Sequence, residues 1–165
     1  VAVNSIPVGG YELDDAIVRF IQQREKLLVG QEQAETLKLA IGSATAQAEP
    51  TGTADVAGRD LVTGLLRRVT VDAGQVREAI SRPLAQIVAA VKDLLERTPA
   101  ELSSDLAGRG VMLVGGGALL PGLDQLLRRE TGLPVSIDDE PLTTVARGAG
   151  QALEVVETLA PRRRR

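Results

Sequence analysis

The chain contains no cysteine and no histidine among its 165 residues. Without cysteine, neither a disulfide bond nor a thiolate nucleophile is available. Without histidine, the side chain used most often as a general base and metal ligand at neutral pH is missing. Any catalysis by this chain therefore has to use carboxylates, lysine, hydroxyl groups or a bound cation.

Aromatic residues and long apolar runs are also scarce. Tyr11 and Phe20 are the only aromatic side chains, and the formal net charge is −3. Neither base stacking nor a general basic surface therefore points to nucleic acid as a partner. No apolar run approaches the roughly 18 residues of a transmembrane helix, and the chain does not start with a signal-peptide pattern. We expect a cytoplasmic protein that does not bind nucleic acid.

What is present is an aliphatic core: 44% of the residues are hydrophobic, which is typical of one globular domain or two small lobes. Val1, Val3, Ile6 and Val8 alternate with other residues and predict a first strand. Because a strand without a preceding partner is incomplete, this start predicts that the chain is a piece of a larger fold. The four arginines at 162–165 predict a disordered, solvated tail.

Apolar periodicity, glycines and prolines predict the other elements. Helices are expected from Glu12 to a stop at Gly30, and over 33–41, 73–80, 83–97, 99–107, 123–131 and 142–159. Strands are expected over 54–57 and 67–71, as an antiparallel hairpin, and over 111–114 and 135–137. In the last helix, helical spacing predicts that four residues face inward: Val145, Ala149, Leu153 and Val156.

This order of elements predicts an α/β protein. The two ends of the chain, 1–42 and 108–160, are expected to form a sheet lobe, and residues 43–107 a smaller inserted lobe of mixed α and β structure. Residues 161–165 are the expected disordered basic tail.

The most informative segment is a buried strand, Val111–Val114, that runs directly into Gly115, Gly116, Gly117 and Ala118. Glycines without side chains let the backbone approach a ligand closely, and open α/β sheets bind nucleotides at the carboxyl ends of their strands. The segment is neither a P-loop nor a dinucleotide fingerprint, because the required lysine and glycine spacings are missing. A tight turn that needs positive φ angles is the alternative interpretation.

A second candidate is the pair Glu35 and Lys38, three residues apart on one predicted helix. Spacing alone favours an exposed ion pair. The functional alternative is that the carboxylate binds ribose hydroxyls while the lysine lies beside a base.

Near the end of the chain, Gly148 and Gly150 interrupt the last predicted helix, and close packing against a neighbouring sheet is the simplest explanation. Asp138, Asp139 and Glu140 precede that helix. They are expected to stabilise its positive end rather than to bind a metal, since no further ligand set is evident.

In order along the chain, several motifs together resemble the MreB family of rod-shape-determining bacterial actins, and the similarity extends over nearly the whole chain. The segments that carry it are Val8–Ile17, Ala34–Lys38 with Ile41–Ala44, Gly58–Leu61, Thr98–Leu102, Gly115–Leu120 and Glu140–Gly148.

The resemblance implies the second half of an actin-like, ribonuclease H-like ATPase fold: the sheet lobe (subdomain IIA) with its inserted lobe (subdomain IIB). It implies ATP as the cofactor, with magnesium in the complete protein. It also assigns Glu35, Thr36, Leu37 and Lys38 to ribose and adenine, and the segment 115–118 to the adenosine side of the nucleotide.

The resemblance further implies ATP-dependent filaments that maintain rod shape and organise peptidoglycan synthesis. Self-association, membrane-anchored cell-shape proteins and the inner face of the plasma membrane are the partners it implies, the membrane being reached through segments that this chain lacks. The family's two phosphate-binding loops and its water-positioning residue are also missing. No catalytic residue is therefore assigned, and whether the chain belongs to an active ATPase stays open.

Two alternatives remain at this point. One is a partner-docking module, or a degenerate paralogue, that uses the same half of the fold without polymerising or hydrolysing ATP. The other is a stand-alone nucleotide-dependent enzyme, which the missing histidine and phosphate loops make the weakest of the three interpretations.

Overall fold

The computed structural model of the chain describes residues 2–154. The predicted basic tail at 161–165, Val1, and the predicted end of the last helix with Val156 lie outside the described residues.

The described chain consists of helices and short strands. In order, they are α1 (Gly10–Glu25), β1 (Leu27–Leu28), α2 (Gln31–Ile41), β2 (Thr53–Asp60), β3 (Leu66–Asp72), α3 (Ala73–Glu96), α4 (Ala100–Arg109), β4 (Val111–Leu113), a 3₁₀ helix (Gly116–Leu119), α5 (Leu123–Thr131), β5 (Val135–Ile137) and α6 (Thr144–Glu154). The predicted α/β class is confirmed.

The strands form two sheets. In the first, β1, β2 and β3 are antiparallel neighbours, and the β2–β3 hairpin pairs Thr53 with Asp72 and Arg59 with Leu66. In the second, β4 and β5 are parallel, with Val111 opposite Val135. The hairpin predicted over 54–57 and 67–71 is confirmed, and so are the strands predicted near residues 111 and 135.

The beginning of the chain differs from the prediction in two ways. Residues 2–9 form no strand, since no described strand pairs with them. The first helix ends at Glu25, because Lys26 adopts a left-handed conformation with φ 53°. Leu27 and Leu28 then pair with Asp60 and Arg59, so the apolar residue expected on the helix, Leu28, belongs to a strand.

The two helices predicted over 73–80 and 83–97 are one helix, α3, with Pro83 in its interior. Asp72 begins the helix, accepting a hydrogen bond from the Gln75 N–H at 2.9 Å while the Gln75 side chain bonds back to Asp72 N–H. An internal proline usually costs about 3 kcal/mol. Burial of Ile80 and Leu84 on either side of the proline offsets that cost, which is why the helix continues.

Helix α6 lies in the predicted place, but its apolar stripe faces solvent. Val145 is 69% exposed and Leu153 75% exposed, and Ala149 is exposed as well. Close packing does not explain the two glycines, because a Cβ on Gly148 or Gly150 would have no described neighbour within 4 Å. The prediction that Val145, Ala149 and Leu153 face inward is therefore wrong, because no described element covers this face of α6.

One cluster of buried aliphatic residues extends from Leu13 on α1 to Val135 on β5 and includes residues of both predicted lobes. β1, from the predicted sheet lobe, is hydrogen-bonded to β2 of the predicted inserted lobe. The division at 42/43 and 107/108 stays a prediction. No helix within residues 2–154 is long and apolar enough to cross a membrane.

Candidate functional site

A groove of about 540 Å³ lies where α1, α2 and the glycine segment meet. Helix α2 contributes Glu35, Lys38 and Leu39, and the glycine segment contributes Gly116 and Gly117. The remaining lining residues come from α1 and from the end of the 3₁₀ helix: Gly10, Tyr11, Leu13, Asp14, Leu119, Leu120 and Pro121. Two motifs almost 80 residues apart in sequence therefore border one cavity.

At the side of the groove formed by α1 and α2, the Lys38 ammonium is fixed by two contacts. Its Nζ lies 2.7 Å from Asp14 Oδ1 and donates a hydrogen bond to the Gly10 carbonyl at 3.2 Å. Only 12% of the Lys38 side chain and 3% of the Asp14 side chain are exposed. The ion pair is therefore a buried link between two helices, not the exposed Glu35–Lys38 pair that spacing favoured.

Asp14 is the charged site residue that sequence reasoning missed, and the other missed lining residues carry no charge. Burial raises its pKa above the ordinary value of 3.8, and the hydrogen bond and charge of Lys38 partly oppose that rise. The sequence held one signal: Asp14 lies three and seven residues before Ile17 and Ile21, both buried on the inner face of α1. A carboxylate on a buried helical face needs a cationic partner, and Lys38 supplies it.

The glycine segment is both a tight turn and part of the groove. Gly115 has φ 83°, its N–H donates to the Pro141 carbonyl at 2.7 Å, and its own carbonyl accepts from Ala118 N–H at 3.1 Å. These bonds hold the 3₁₀ helix that places Gly116 and Gly117 at the cavity surface. The two interpretations left open by the sequence are therefore compatible.

Four of the eight predicted site residues line the groove: Glu35, Lys38, Gly116 and Gly117. The other four have structural positions around it. Thr36 hydrogen-bonds the Glu32 carbonyl on its own helix at 2.9 Å, Leu37 and Ala118 are buried in the interior, and Gly115 shapes the turn.

Two of the three acidic residues before α6, Asp138 and Glu140, have side-chain contacts with that helix. Asp138 Oδ1 accepts hydrogen bonds from Glu140 N–H at 2.9 Å and from the Thr144 hydroxyl at 2.8 Å. These bonds, with the backbone contribution larger, lower the pKa of Asp138 below 3.8. Glu140 Oε2 lies 2.7 Å from Arg147 Nη1, so Glu140 forms an ion pair with a residue of α6.

Solved structures define the class of protein to which this architecture belongs. An MreB5 structure from Spiroplasma citri bound to ADP matches with TM-score 0.90 and 30% identity over 94% of this chain and 47% of that one. A MamK double helical filament matches in fold, with TM-score 0.69 and 21% identity over 88% of this chain and 44% of that one. The chain has an actin-like ATPase fold.

Sequence comparison gives the family. The family model described as "MreB/Mbl protein" matches residues 1–161, and the chain belongs to that family. It is 44% identical to the cell shape-determining protein MreB of Escherichia coli K12, over 93% of this chain and 44% of the relative. It is 41% identical to the cell shape-determining protein Mbl of Bacillus subtilis, over 99% of this chain and 49% of the relative. The chain spans about half the length of these curated relatives.

Proposed function

We propose that this chain is the nucleoside-binding half of a cell shape-determining bacterial actin of the MreB type, in which ATP is bound between this half and the remainder of the protein. The observation that carries the proposal is the shared groove, where Lys38 and Glu35 meet the bare backbone of Gly116 and Gly117.

The chemistry of the groove suits a nucleoside. Glu35 is exposed, so its carboxylate is free to accept hydrogen bonds from the two ribose hydroxyls. The aliphatic side chains of Leu39, Leu119 and Leu120 offer an apolar surface for a base. Because Asp14 and the Gly10 carbonyl hold the Lys38 ammonium, we assign its aliphatic stem, rather than its charge, to contact with the base.

The groove does not suit a phosphate chain with magnesium. Within residues 2–154, no group of three or more acidic side chains is arranged to hold a metal ion, and the groove's buried carboxylate, Asp14, is already paired with Lys38. We therefore place the phosphate-binding loops, magnesium and the hydrolytic machinery outside this chain. MreB5 of Spiroplasma citri has been solved with ADP and with AMPPNP, which supports nucleotide binding by the complete site.

Self-association into filaments is the second part of the proposal. It is supported by a solved structure of the same fold, a MamK double helical filament, and by an apolar surface at the tip of the β2–β3 hairpin. There, Val62 is 82% exposed, Leu65 69% and Leu66 84%. Asp60 holds this turn by accepting hydrogen bonds from Val62 and Thr63 N–H at 2.8 and 2.9 Å. A loop that is held by hydrogen bonds and presents aliphatic side chains to water is typical of an association surface.

We further propose that the protein acts in the cytoplasm at the inner face of the plasma membrane, together with membrane-anchored cell-shape proteins. These assignments rest on kinship with MreB and Mbl. Contact with the membrane itself is assigned to segments outside this chain.

Calorimetric titration tests the nucleoside assignment. The full-length protein that carries this chain is titrated with adenosine, AMP and ADP, and the 165-residue chain is titrated in parallel. We expect the isolated chain to bind adenosine and AMP with similar, weak affinity and to hydrolyse no ATP. The full-length protein should bind ADP far more tightly than adenosine. Turnover of ATP by the isolated chain would contradict the assignment.

Sedimentation tests the filament assignment. The full-length protein is expected to pellet with ATP and to stay in the supernatant without it. A full-length protein that binds nucleotide but never pellets would identify the non-polymerising docking module instead.

A further inference from the structure

The segment that follows α2 joins the two sides of the groove to each other. Ala44 N–H donates a hydrogen bond to the Pro121 carbonyl at 2.7 Å, and the Thr45 hydroxyl donates one to Gln125 Oε1 at 3.2 Å. Pro121 itself lines the groove. The segment Ser43–Ala48, which we call the connecting segment, therefore holds the turn that ends the glycine side of the cavity.

The connecting segment is also fixed to the core of the protein. Ser43 is fully buried, and its hydroxyl accepts hydrogen bonds from Arg77 Nε and Nη2 at 3.3 and 3.0 Å. Arg77 belongs to α3, so the segment is anchored at its start by a helix outside the groove. On another side, the connecting segment packs against Gly122.

At Gly122, the backbone before α5 lies very close to the connecting segment. A Cβ placed on it would lie 2.7 Å from both Ala48 Cβ and Thr45 Oγ1, a separation that side-chain atoms essentially never have. Its φ of 79° is also in the left-handed region that favours glycine. Backbone therefore packs directly on the connecting segment at this position, with no room for a side chain.

We infer that the contact between Gly122 and the connecting segment sets the width of the nucleoside groove, so that Gly122 and Thr45 are positioning residues for the nucleoside. The inference rests on the proposed function. Its reason is covalent continuity: α2, which carries Glu35 and Lys38, continues into the connecting segment, and Gly122 directly follows Pro121. Pushing the segment away from Gly122 must therefore shift one side of the groove relative to the other.

The chain contains a matched control for this contact. Gly132 has φ 73°, close to that of Gly122, and also flanks α5, but a Cβ on Gly132 would have no described neighbour within 4 Å. Gly122→Ala and Gly132→Ala thus share the backbone strain of a left-handed alanine. They differ in the collision with the connecting segment.

Adenosine affinity of the full-length protein is the measurement, with thermal unfolding of each variant recorded alongside. We expect Gly122→Ala to weaken adenosine binding by about tenfold, because small displacements of binding groups carry large penalties. Gly132→Ala should stay within about twofold of the wild type. Equal affinities in the two variants would overturn the inference.

A rescue experiment separates positioning from general damage. In a Thr45→Ala, Ala48→Gly background, the two atoms that lie 2.7 Å from an alanine Cβ at 122 are gone, and the next neighbour, the Thr45 backbone nitrogen, is 3.3 Å away. Adding Gly122→Ala to this background should therefore cost less than about twofold in affinity. A further tenfold loss there would show that strain, and not the contact, is responsible.

If Gly122→Ala does not fold, Thr45→Val carries the test, since it keeps the shape of the side chain and removes its hydrogen bond to Gln125. Lower adenosine affinity is expected, and unchanged affinity overturns the inference. Failure of the wild-type protein to bind adenosine at all is a different result, which rejects the proposed function itself.

Discussion

Lys38 Nζ lies 2.7 Å from Asp14 Oδ1, and this ion pair joins α2 to α1 at one side of the candidate groove. Both side chains are almost entirely buried. Replacing either residue by an uncharged one leaves the charge of the other buried and without an ion-pair partner. The packing of α1 against α2 beside the groove is therefore sensitive to substitution of either residue.

Lys38→Met is expected to lower the free energy of unfolding by about 3 kcal/mol, since it leaves the Asp14 carboxylate buried and unpaired. Chemical denaturation measures this change. Arg24 and Glu78 form a matched exposed pair at 3.2 Å, with half or more of each side chain in water. Arg24→Ala should cost less than about 1 kcal/mol, and equal losses for the two substitutions would refute the buried pair's importance.

The pH dependence of stability should differ in sign for two aspartates. Burial raises the folded-state pKa of Asp14 above 3.8, so the folded state holds a proton more tightly than the unfolded state. As pH rises from 3.8 through that raised pKa, Asp14 loses stabilising effect. Hydrogen bonds lower the folded-state pKa of Asp138, so its contribution is complete above 3.8 and disappears as pH falls through the lowered value.

Denaturation at a series of pH values, with Asp14→Asn and Asp138→Asn compared with the wild type, measures both effects. As pH rises from 3.8 through the raised pKa of Asp14, the stability of the wild type relative to Asp14→Asn should fall. As pH rises through the lowered pKa of Asp138 to 3.8, the stability of the wild type relative to Asp138→Asn should rise. Two differences of the same sign would contradict the opposed pKa shifts.

Glu35→Gln is expected to weaken adenosine binding by about tenfold and to leave stability unchanged, because the side chain is exposed and its proposed hydrogen bonds are made to ribose. Calorimetric titration gives the affinity. Glu32, on the same helix, is exposed and does not line the groove, so Glu32→Gln is the control. Equal affinity of the two variants would remove Glu35 from the site.

Gly110→Ala should destabilise the protein by more than about 2 kcal/mol. Gly110 has φ 73°, and an added Cβ would collide with the Pro134 carbonyl, at the point where Val111 N–H bonds that same carbonyl and the β4–β5 pairing begins. Strain and collision both oppose the substitution. Gly108→Ala, two residues earlier on α4, has open space and should instead stabilise by about 0.5–1 kcal/mol.

Leu66→Ser, at the tip of the β2–β3 hairpin, is expected to reduce the fraction of full-length protein that pellets with ATP, since it removes apolar surface assigned to self-association. The side chain is 84% exposed, so unfolding curves should be unchanged. Val3 is equally exposed at 84% and lies far from the hairpin in sequence. If Val3→Ser reduces pelleting as much as Leu66→Ser, the hairpin tip has no specific role.

Local pattern was a reliable guide where one segment decides the outcome. The spacing of Leu123 and Leu127 with a closing Gly132 predicted α5 at its observed bounds, and the glycines after Val114 predicted a turn with positive φ. It failed for Pro83, where packing kept α3 continuous, and at Lys26, where the left-handed conformation freed Leu27 and Leu28 to pair with β2.

The amino-acid sequence by itself determined the α/β class, most helices and strands, the family, and the two motifs that border the groove. Periodicity, capping and turn chemistry depend on a few neighbouring residues, so they can be recognised in the sequence. Only the tertiary structure decided that Lys38 pairs with Asp14, that Gly122 packs on the connecting segment, and that the apolar face of α6 lies open to solvent. Each of these depends on contacts, or on missing contacts, between segments that are far apart in the sequence. Charge pairing, close backbone packing and burial are set by those contacts.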